Sequence, residues 1–350
     1  MNAQTVLGRV PADALGTTLI HEHVLFDVSD YWNEPAEATR IDRAERPVSI
    51  ESLGELRYDP FLVRDNLVHG DVDLAVSELE RFVAHGGATV VDPTNVSMGR
   101  DPEALRTIAR RTGLNLILGS GYYTEISLDA EFRARTLDDV ADELIRDVLD
   151  GVGDSRVRAG LIGEIGTSSP ITDAELLSLR AAARAQAQTG APLMVHLDGW
   201  GREGHAVLDV AEEEGADPAR VILCHMNPSC DDSAYQVSLA ERGAFVEYDM
   251  MGMTYVYPVG RTCPDDERAL RGVKRLMDAG HADRVLISQD VFLKSMLRRY
   301  GGLGYTHVLD TMVPVAGSVG IDEAQLHGFL TTNAHQAIAT FPASSGVPRR

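Results

Sequence analysis

Cysteine and long apolar runs are scarce in this sequence of 350 residues. The three cysteines, Cys224, Cys230 and Cys263, form no Cys-x-x-Cys pair, which argues against a disulfide framework and favours a reducing compartment. No stretch reaches the ~20 apolar residues that a membrane-spanning helix needs. Residues 1–16 also lack the apolar run of a signal peptide, so we expect a cytoplasmic protein.

Positive charge is scarce as well. The chain has 32 lysines and arginines against 53 aspartates and glutamates, which gives a formal net charge of -21. Such a surface repels phosphate backbones and anionic lipids, so we expect a small-molecule substrate and neither a nucleic-acid nor a membrane partner. Lysine is the rarer cation, because Lys274 and Lys294 are the two in the whole sequence.

Short apolar segments recur along the chain, and each ends in Gly, Pro, Asn or polar residues. Near-continuous apolar runs of this length are typical of parallel strands that are buried on both faces. We predict eight such strands, within residues 18–26, 88–94, 115–123, 159–167, 192–199, 220–228, 243–252 and 284–292.

Longer segments with apolar residues at three- and four-residue spacing lie between the strands and predict helices. Gly113 is expected to end the second helix, and Thr172 or Asp173 to cap the fourth. The predicted helices cover residues 73–87, 101–113, 137–153, 172–190, 204–217, 231–243, 265–280 and 321–341.

This alternation of strands and helices predicts a (β/α)8 barrel. Such barrels commonly take ~250 residues as one domain, so we expect residues 1–350 to form a single barrel domain. The alternative is an open doubly wound sheet, which would need a Gly-rich phosphate loop after its first strand. Residues 21–27, HEHVLFD, are not such a loop.

Two long insertions interrupt the alternation. Residues 27–72 separate the first strand from its helix, and residues 292–320 follow the last strand. Connections of this length inside a compact domain are usually functional. Because both begin at the carboxyl end of a strand, we expect the first to lie over the barrel mouth.

Ionisable residues collect at the predicted strand ends. His21 and His23 are two positions apart and therefore point to one side of the first strand, while Glu22 points to the other. Four more follow in other strands, namely Glu164, His196, His225 and Asp290. Barrels of this kind place their active sites at the carboxyl ends of the strands, so we expect these six side chains to converge there.

A metal centre explains why such residues would be buried together. Buried carboxylates cost several kcal/mol unless they are paired or bound to metal. Imidazole and carboxylate ligands suit Zn²⁺ and also Mn²⁺, Fe²⁺ or Co²⁺. Cys224 precedes His225 in its strand, so we expect its side chain to face away from the site.

These motifs resemble the phosphotriesterase family of the amidohydrolase superfamily over nearly the whole chain. The resemblance rests on TLIHEH at 18–23, GEIGTS at 163–168, His196, CHMN at 224–227 and SQD at 288–290. It implies two divalent metal ions, most often zinc, and a homodimer. His21, His23 and Asp290 would hold the more buried ion, His196 and His225 the more exposed one, and Glu164 would bridge them.

The bridge departs from the best-known family members, which use a lysine carbamate. No lysine precedes Lys274, so this chain cannot form a lysine carbamate in the fourth strand. Glu164 supplies the same two oxygens and one negative charge without modification. This feature resembles the phosphotriesterase-homology branch, which includes the phosphotriesterase-related proteins, and it weakens organophosphate hydrolysis as the expected activity.

The resemblance implies that a hydroxide shared by the metals attacks the substrate and that Asp290 accepts its proton. We expect hydrolysis of a lactone, a carboxylic ester or an N-acyl amide. Phosphoester or organophosphate hydrolysis is the alternative, and a metal-binding barrel without catalysis is a third hypothesis. Deamination is disfavoured because Leu197, Asp198 and Gly199 follow His196 where one-metal deaminases carry a His-x-x-Glu pattern.

Five residues are predicted to contact substrate. Tyr123 ends the third strand, where lactonase relatives use a tyrosine, and Trp200 and Arg202 follow the fifth strand. Lys294 and Arg298 follow Asp290, and their positive charge in so acidic a chain suggests an anionic substrate group. Barrel-rim packing for the aromatic residues and a surface role for the arginines are the alternatives.

Overall fold

Eight parallel strands form the central sheet of the computed structural model, which describes residues 1–35 and 37–340. They are β1 (Thr17–Leu19), β2 (Gly87–Asp92), β3 (Asn115–Ser120), β4 (Leu161–Gly166), β5 (Leu193–His196), β6 (Val221–Leu223), β7 (Phe245–Tyr248) and β8 (Val285–Ile287). Each strand pairs in parallel with the next along the chain. All eight predicted strands are present.

The sheet closes where β8 meets β1. The Asp290 amide donates to the His21 carbonyl at 3.2 Å, and the His23 amide donates to the Val291 carbonyl at 3.2 Å. These bonds join the two edge strands just beyond their carboxyl ends, so the predicted (β/α)8 barrel is confirmed and the doubly wound alternative is wrong. They also bring His21, His23 and Asp290 together.

Helices follow the strands in the predicted alternation. Thr172 caps the helix Asp173–Thr189 with a capping box, because its hydroxyl accepts from the Glu175 amide and the Glu175 carboxylate accepts from the Thr172 amide. Gly113 ends the helix Pro102–Thr112 at φ 76°. The helices are α1 (Val72–Ala84), α2 (Pro102–Thr112), α3 (Leu137–Leu149), α4 (Asp173–Thr189), α5 (Gly204–Glu213), α6 (Ser233–Glu241), α7 (Asp266–Asp278), α8 (Glu323–Gly328) and α9 (Ala334–Ile338).

The last predicted helix, 321–341, is not continuous. A π-helical turn at Phe329–Asn333 separates α8 from α9, and Asn333 uses its side chain there to donate to the carbonyls of Ala282 and Val285 at 2.8 Å. The turn therefore fastens the closing helix to the amino end of β8. Residue 341 lies outside the described residues.

An apolar cluster fills the barrel. Every member is buried, and one comes from, or directly follows, each strand. Layers of branched side chains of this kind make a barrel interior a packed core rather than a pore. The eight strand residues are Ile20, Val91, Ile117, Leu161, Met194, Ile222, Phe245 and Leu286.

The first residues form an element that the sequence pattern did not predict. Asn2–Thr5 and Gly8–Pro11 pair as an antiparallel hairpin. Ala3, Ala12 and Leu15 join the interior cluster from this side, and the Val6 amide donates to the Leu116 carbonyl at 2.8 Å. The hairpin therefore closes the amino end of the barrel, which leaves the carboxyl end as the open mouth.

Both insertions fold against the barrel. In the first, Phe26–Asp27 pairs with Val68–His69 around short helices at Ala38–Ala44 and Leu53–Leu56, and it buries a small apolar cluster of its own. Further short helices occur at Ala130–Arg133 and Val313–Ser318. Within residues 1–35 and 37–340, no helix has the length and apolar character that a membrane crossing needs.

Candidate metal centre and active site

The six predicted metal ligands lie together at the barrel mouth, in two groups of three. In each group the candidate ligand atoms lie within 4.8 Å of one another. One group is His21, His23 and Asp290, and the other is Glu164, His196 and His225. Five of the six are buried and His196 is partly exposed, so the second group is the more accessible.

Glu164 lies between the two groups and presents one oxygen to each. Its Oε1 is 2.9 Å from His225 Nε2 and 3.1 Å from His196 Nδ1. Its Oε2 faces the other group, 3.7 Å from His21 Nε2 and 3.9 Å from His23 Nε2. A carboxylate in this arrangement can contact a cation in either group.

Unusual backbone conformations orient two of the ligands. His225 and Asp290 have φ of 58° and 50°, the left-handed region that residues other than glycine rarely adopt. At His225 this breaks the strand alternation, so Cys224 does not face away from the site as predicted. It lies with His21, Glu247 and Asp249 directly beneath the centre.

Two buried acids at the carboxyl end of the seventh strand support the histidines, and the sequence reasoning missed both. Asp249 accepts from His225 Nδ1 at 3.1 Å and lies 3.3 Å from His21 Nδ1, so it contacts one ligand in each group. Glu247 lies 3.3 Å from the same His21 nitrogen. Their signal was present, because the two acids are spaced by two in the otherwise apolar segment 243–252.

His23 and Glu22 are held separately. His23 Nδ1 is 2.8 Å from the Thr94 hydroxyl. Glu22 points away from the centre, as predicted, and its carboxylate accepts from the Ser288 hydroxyl, both nitrogens of Gln289 and the Val291 amide at 2.8 to 2.9 Å. Burial nevertheless raises the pKa of Glu22 to about 7. These hydrogen bonds tie the residues before and after Asp290 to the carboxyl end of β1, and so they hold Asp290 in place.

The centre attracts positive charge. Burial alone would raise the pKa of Glu164, but the surrounding histidines hold it well below its ordinary value. Burial lowers the pKa of His21, but the Glu164 carboxylate together with Cys224, Glu247 and Asp249 outweighs this and holds it well above the usual range. The Glu164 carboxylate is thus stabilised by neighbouring positive charge, a role that protons or metal ions can fill.

The residues fit bound metal ions. His21 Nε2 is buried and has no hydrogen-bond partner among residues 1–35 and 37–340, and the oxygens of Glu164 and Asp290 that it faces are both 3.7 Å away. A buried polar atom without a partner is costly, and coordination to a cation would satisfy it. The opposite ring nitrogen is already oriented by Glu247 and Asp249, which is the usual arrangement around a ligating histidine.

A cavity of about 520 Å³ opens from the centre toward solvent. His23, His196, His225 and Asp290 form its floor. Its walls are mainly apolar and include Val28, Tyr31, Phe61, Met98, Met250, Tyr257 and Phe292. Tyr31 and Phe61 come from the first insertion, which therefore reaches the barrel mouth as predicted.

Tyr123 and Trp200, two of the five predicted substrate contacts, line this cavity. The Tyr123 hydroxyl is 3.0 Å from His196 Nδ1, so it lies beside the more accessible ligand group. Trp200 stands further out, with its ring edge-on to Tyr257 and their centroids 5.6 Å apart.

The structure does not bring the other three, Arg202, Lys294 and Arg298, to the cavity. Arg202 turns outward and donates to Asp232 at 3.0 Å. Lys294 donates to Asp65 of the first insertion, and the Arg298 amide donates to Glu78 of α1 at 2.9 Å. All three residues are close to a metal ligand in the sequence, but their hydrogen bonds to Asp232, Asp65 and Glu78 direct them away from the cavity.

A cationic residue that the sequence analysis did not select lines the cavity instead of Arg202, Lys294 and Arg298. Among the described residues that line the cavity, Arg261 is the one arginine or lysine. It lies in a small hairpin, Val256–Tyr257 with Arg261–Thr262, that follows the seventh strand. The sequence carried no signal for this position, because it depends on how the hairpin folds back over the mouth.

Sequence comparison assigns the chain. The model of the phosphotriesterase family matches residues 1–338. The chain belongs to the phosphotriesterase family. Within it, the N-acetyltaurine hydrolase of Mus musculus is 33% identical over 337 residues, which cover 95% of this chain and 96% of that protein.

Two solved structures extend the likeness. One, described as a resiniferatoxin-binding protein from Rhodobacter sphaeroides, is 48% identical and superposes with a TM-score of 0.94 over 96% of this chain and 94% of that one. The phosphotriesterase homology protein of Escherichia coli is 25% identical, with a TM-score of 0.78 over 93% and 100%. With the ligand groups in place, the chain is a metal-dependent hydrolase of this family.

Proposed function

We propose that the protein is a binuclear metal hydrolase that cleaves carboxylic acyl bonds, with N-acyl amides as first candidates and lactones or esters as second. The placement of Glu164 carries the proposal, because its two oxygens face the two ligand groups separately. Relatives named N-acetyltaurine hydrolase, an amide-cleaving activity, support the choice of bond.

His21, His23 and Asp290 would hold one ion and His196 and His225 the other, with Glu164 shared between them. When bound, two such cations supply an activated water and stabilise negative charge on the acyl oxygen. Zinc is our first choice, since imidazole and carboxylate ligands without a cysteine suit it, and Mn²⁺, Fe²⁺ and Co²⁺ accept the same ligands.

Asp290 is the proposed proton acceptor. It lines the cavity floor, and its Oδ1 is 3.3 Å from His23 Nε2. His21, His23 and His225 use their second ring nitrogens for Glu247, Thr94 and Asp249 respectively, so Asp290 is better placed than these rings to take a proton. A protonated Asp290 can then deliver the proton to the leaving amine.

Tyr123 is the proposed partner of the acyl oxygen. Its hydroxyl lies at the cavity floor beside His196, where it can donate a hydrogen bond to an oxygen on which negative charge develops. The apolar walls would exclude water from the acyl chain and favour a substrate with an apolar tail.

The cysteines bear on where the enzyme works. Cys224, Cys230 and Cys263 are buried, and none forms a disulfide within the described residues. Free cysteines are typical of reducing compartments, which supports a cytoplasmic location as part of the proposal.

A substrate panel tests the proposed bond class. The protein would be loaded with Zn²⁺, Mn²⁺ or Co²⁺ and assayed on N-acyl amino acids, lactones, aryl esters and diethyl aryl phosphates. We expect the highest kcat/KM on an acyl amide and the lowest on the phosphates. Turnover of phosphates alone would overturn the carboxylic assignment, and no turnover at full metal loading would favour a binding barrel.

A further inference from the structure

Arg261 is held in a fixed position at the cavity mouth. Its Nη1 donates to Asp198 Oδ2 at 2.7 Å, and its guanidinium carbon is 5.6 Å from the centre of the Trp200 ring. Asp198 is itself anchored, because its Oδ1 accepts from the Trp200 amide at 3.1 Å. The arginine is therefore pre-organised rather than a freely moving surface residue.

One edge of this guanidinium remains available. Asp198 occupies Nη1, and no other acceptor for Nε or Nη2 occurs among the described residues. The side chain is 41% exposed and lines the cavity. The Nε and Nη2 edge of arginine presents two parallel N–H donors that match a carboxylate or a sulfonate.

Among the described residues, the rest of the lining holds no other arginine or lysine, and its acids are occupied. Glu125 pairs with Arg133 at 2.8 Å, Asp198 pairs with Arg261, and Asp290 belongs to the ligand group. The remaining wall is largely apolar. The cavity therefore combines an apolar wall with one cationic position at its rim.

Arg261 also lines the same cavity as the reacting centre. Asp198 is two residues beyond His196, so their Cα atoms are at most ~7.6 Å apart. A substrate that spans the cavity from the floor beside His196 to this rim would place an acidic group against the guanidinium.

We propose that Arg261 binds an acidic group on the amine portion of the substrate, so that preferred substrates are N-acyl amino acids or N-acyl aminosulfonates with an apolar acyl chain. This inference rests on the proposed acyl-amide hydrolysis. It gives Arg261 the anion-binding role that the sequence suggested for Lys294 and Arg298, and it makes Asp198 the residue that positions the arginine.

One matched pair of compounds tests the site by binding. N-hexanoylglycine and its neutral amide, N-hexanoylglycinamide, have almost the same shape and differ in charge. Calorimetric titration of the metal-free protein should show the acid binding ~10-fold or more tighter than the amide, and Arg261→Met should remove most of that difference. Arg261→Lys should restore part of it, since it keeps the charge but loses the two-donor edge.

Arg268→Met is the matched control. Arg268 donates to Asp231 on the outer surface and does not line the cavity, so its removal should leave both affinities unchanged. The melting temperatures of all variants would show that they fold. Equal binding of acid and amide by the wild type, or an Arg261→Met variant that keeps the preference, would overturn the inference.

Hydrolysis of the same pair separates the two proposals. In the metal-loaded enzyme, Arg261→Met should raise KM for the acid and change kcat little, while the amide is cleaved as before. If the acid binds through Arg261 but neither compound is cleaved, the proposed function fails and the anion site stands. If both are cleaved equally by the wild type and by Arg261→Met, the function stands and the anion site fails.

Discussion

The strand ends and the loops contribute to this site in different ways. The six ligand residues lie in the barrel strands or within a few residues of their ends, and His21 and Glu164 are almost completely buried. The substrate-facing wall comes from the first insertion and from the loops after β2, β3, β4, β5, β7 and β8, and Arg261 remains partly exposed. Strand residues are placed by register and burial, whereas loop residues are placed by the ion pairs that they form on folding.

Among substitutions that leave Glu164 in place, Asp290→Asn should have the largest effect on catalysis. The amide cannot accept the proton, so kcat on an acyl amide should fall by ~10²-fold or more. Steady-state kinetics at saturating metal would measure it. Asp283→Asn is the control, because Asp283 is exposed at the opposite end of the same strand. An unchanged kcat for Asp290→Asn would remove this residue from the proton-accepting role.

Asp249→Asn should have an intermediate effect. One carboxylate here orients a histidine of each ligand group and also accepts from the His225 amide, and an asparagine has a single oxygen for these donors. We expect metal affinity or activity to fall by ~10–100-fold. Equilibrium dialysis against Zn²⁺ would measure the affinity of both groups. A loss confined to one ion would contradict the shared role.

The loop-built wall should give the smallest and most selective effect. The Arg261→Met variant is expected to change KM by ~10-fold for acidic substrates and to leave the neutral amide unaffected. If Arg261→Met lowered kcat for every substrate as strongly as Asp290→Asn does, the loop residues and the strand-end ligands would not have separate roles.

The part of the fold that the sequence predicted is the part governed by burial. Strands such as β4 are buried on both faces and read as apolar runs, and the ligands interrupt those runs where they end. The hairpin at residues 2–11 was missed because its exposed and buried residues form no long pattern. Asp249 was missed because supporting acids do not belong to the ligand motifs.

The substrate contacts were predicted less well because closeness in sequence does not fix direction in space. Arg202 follows Trp200 by two residues, yet it points to Asp232 on the outer surface. Arg261 lies about thirty residues before Asp290 in the chain and still lines the same cavity. Such positions follow from loop conformation, which depends on tertiary ion pairs rather than on local periodicity.

The metal content of Glu164→Gln tests the central claim most directly. Glutamine keeps the size of the side chain but removes the charge and one of the two oxygens that face the ligand groups. Elemental analysis after zinc loading should give about two ions per chain for the wild type and one or fewer for the variant, with activity lost in parallel. A variant that holds two ions and keeps full activity would contradict the bridging role of Glu164.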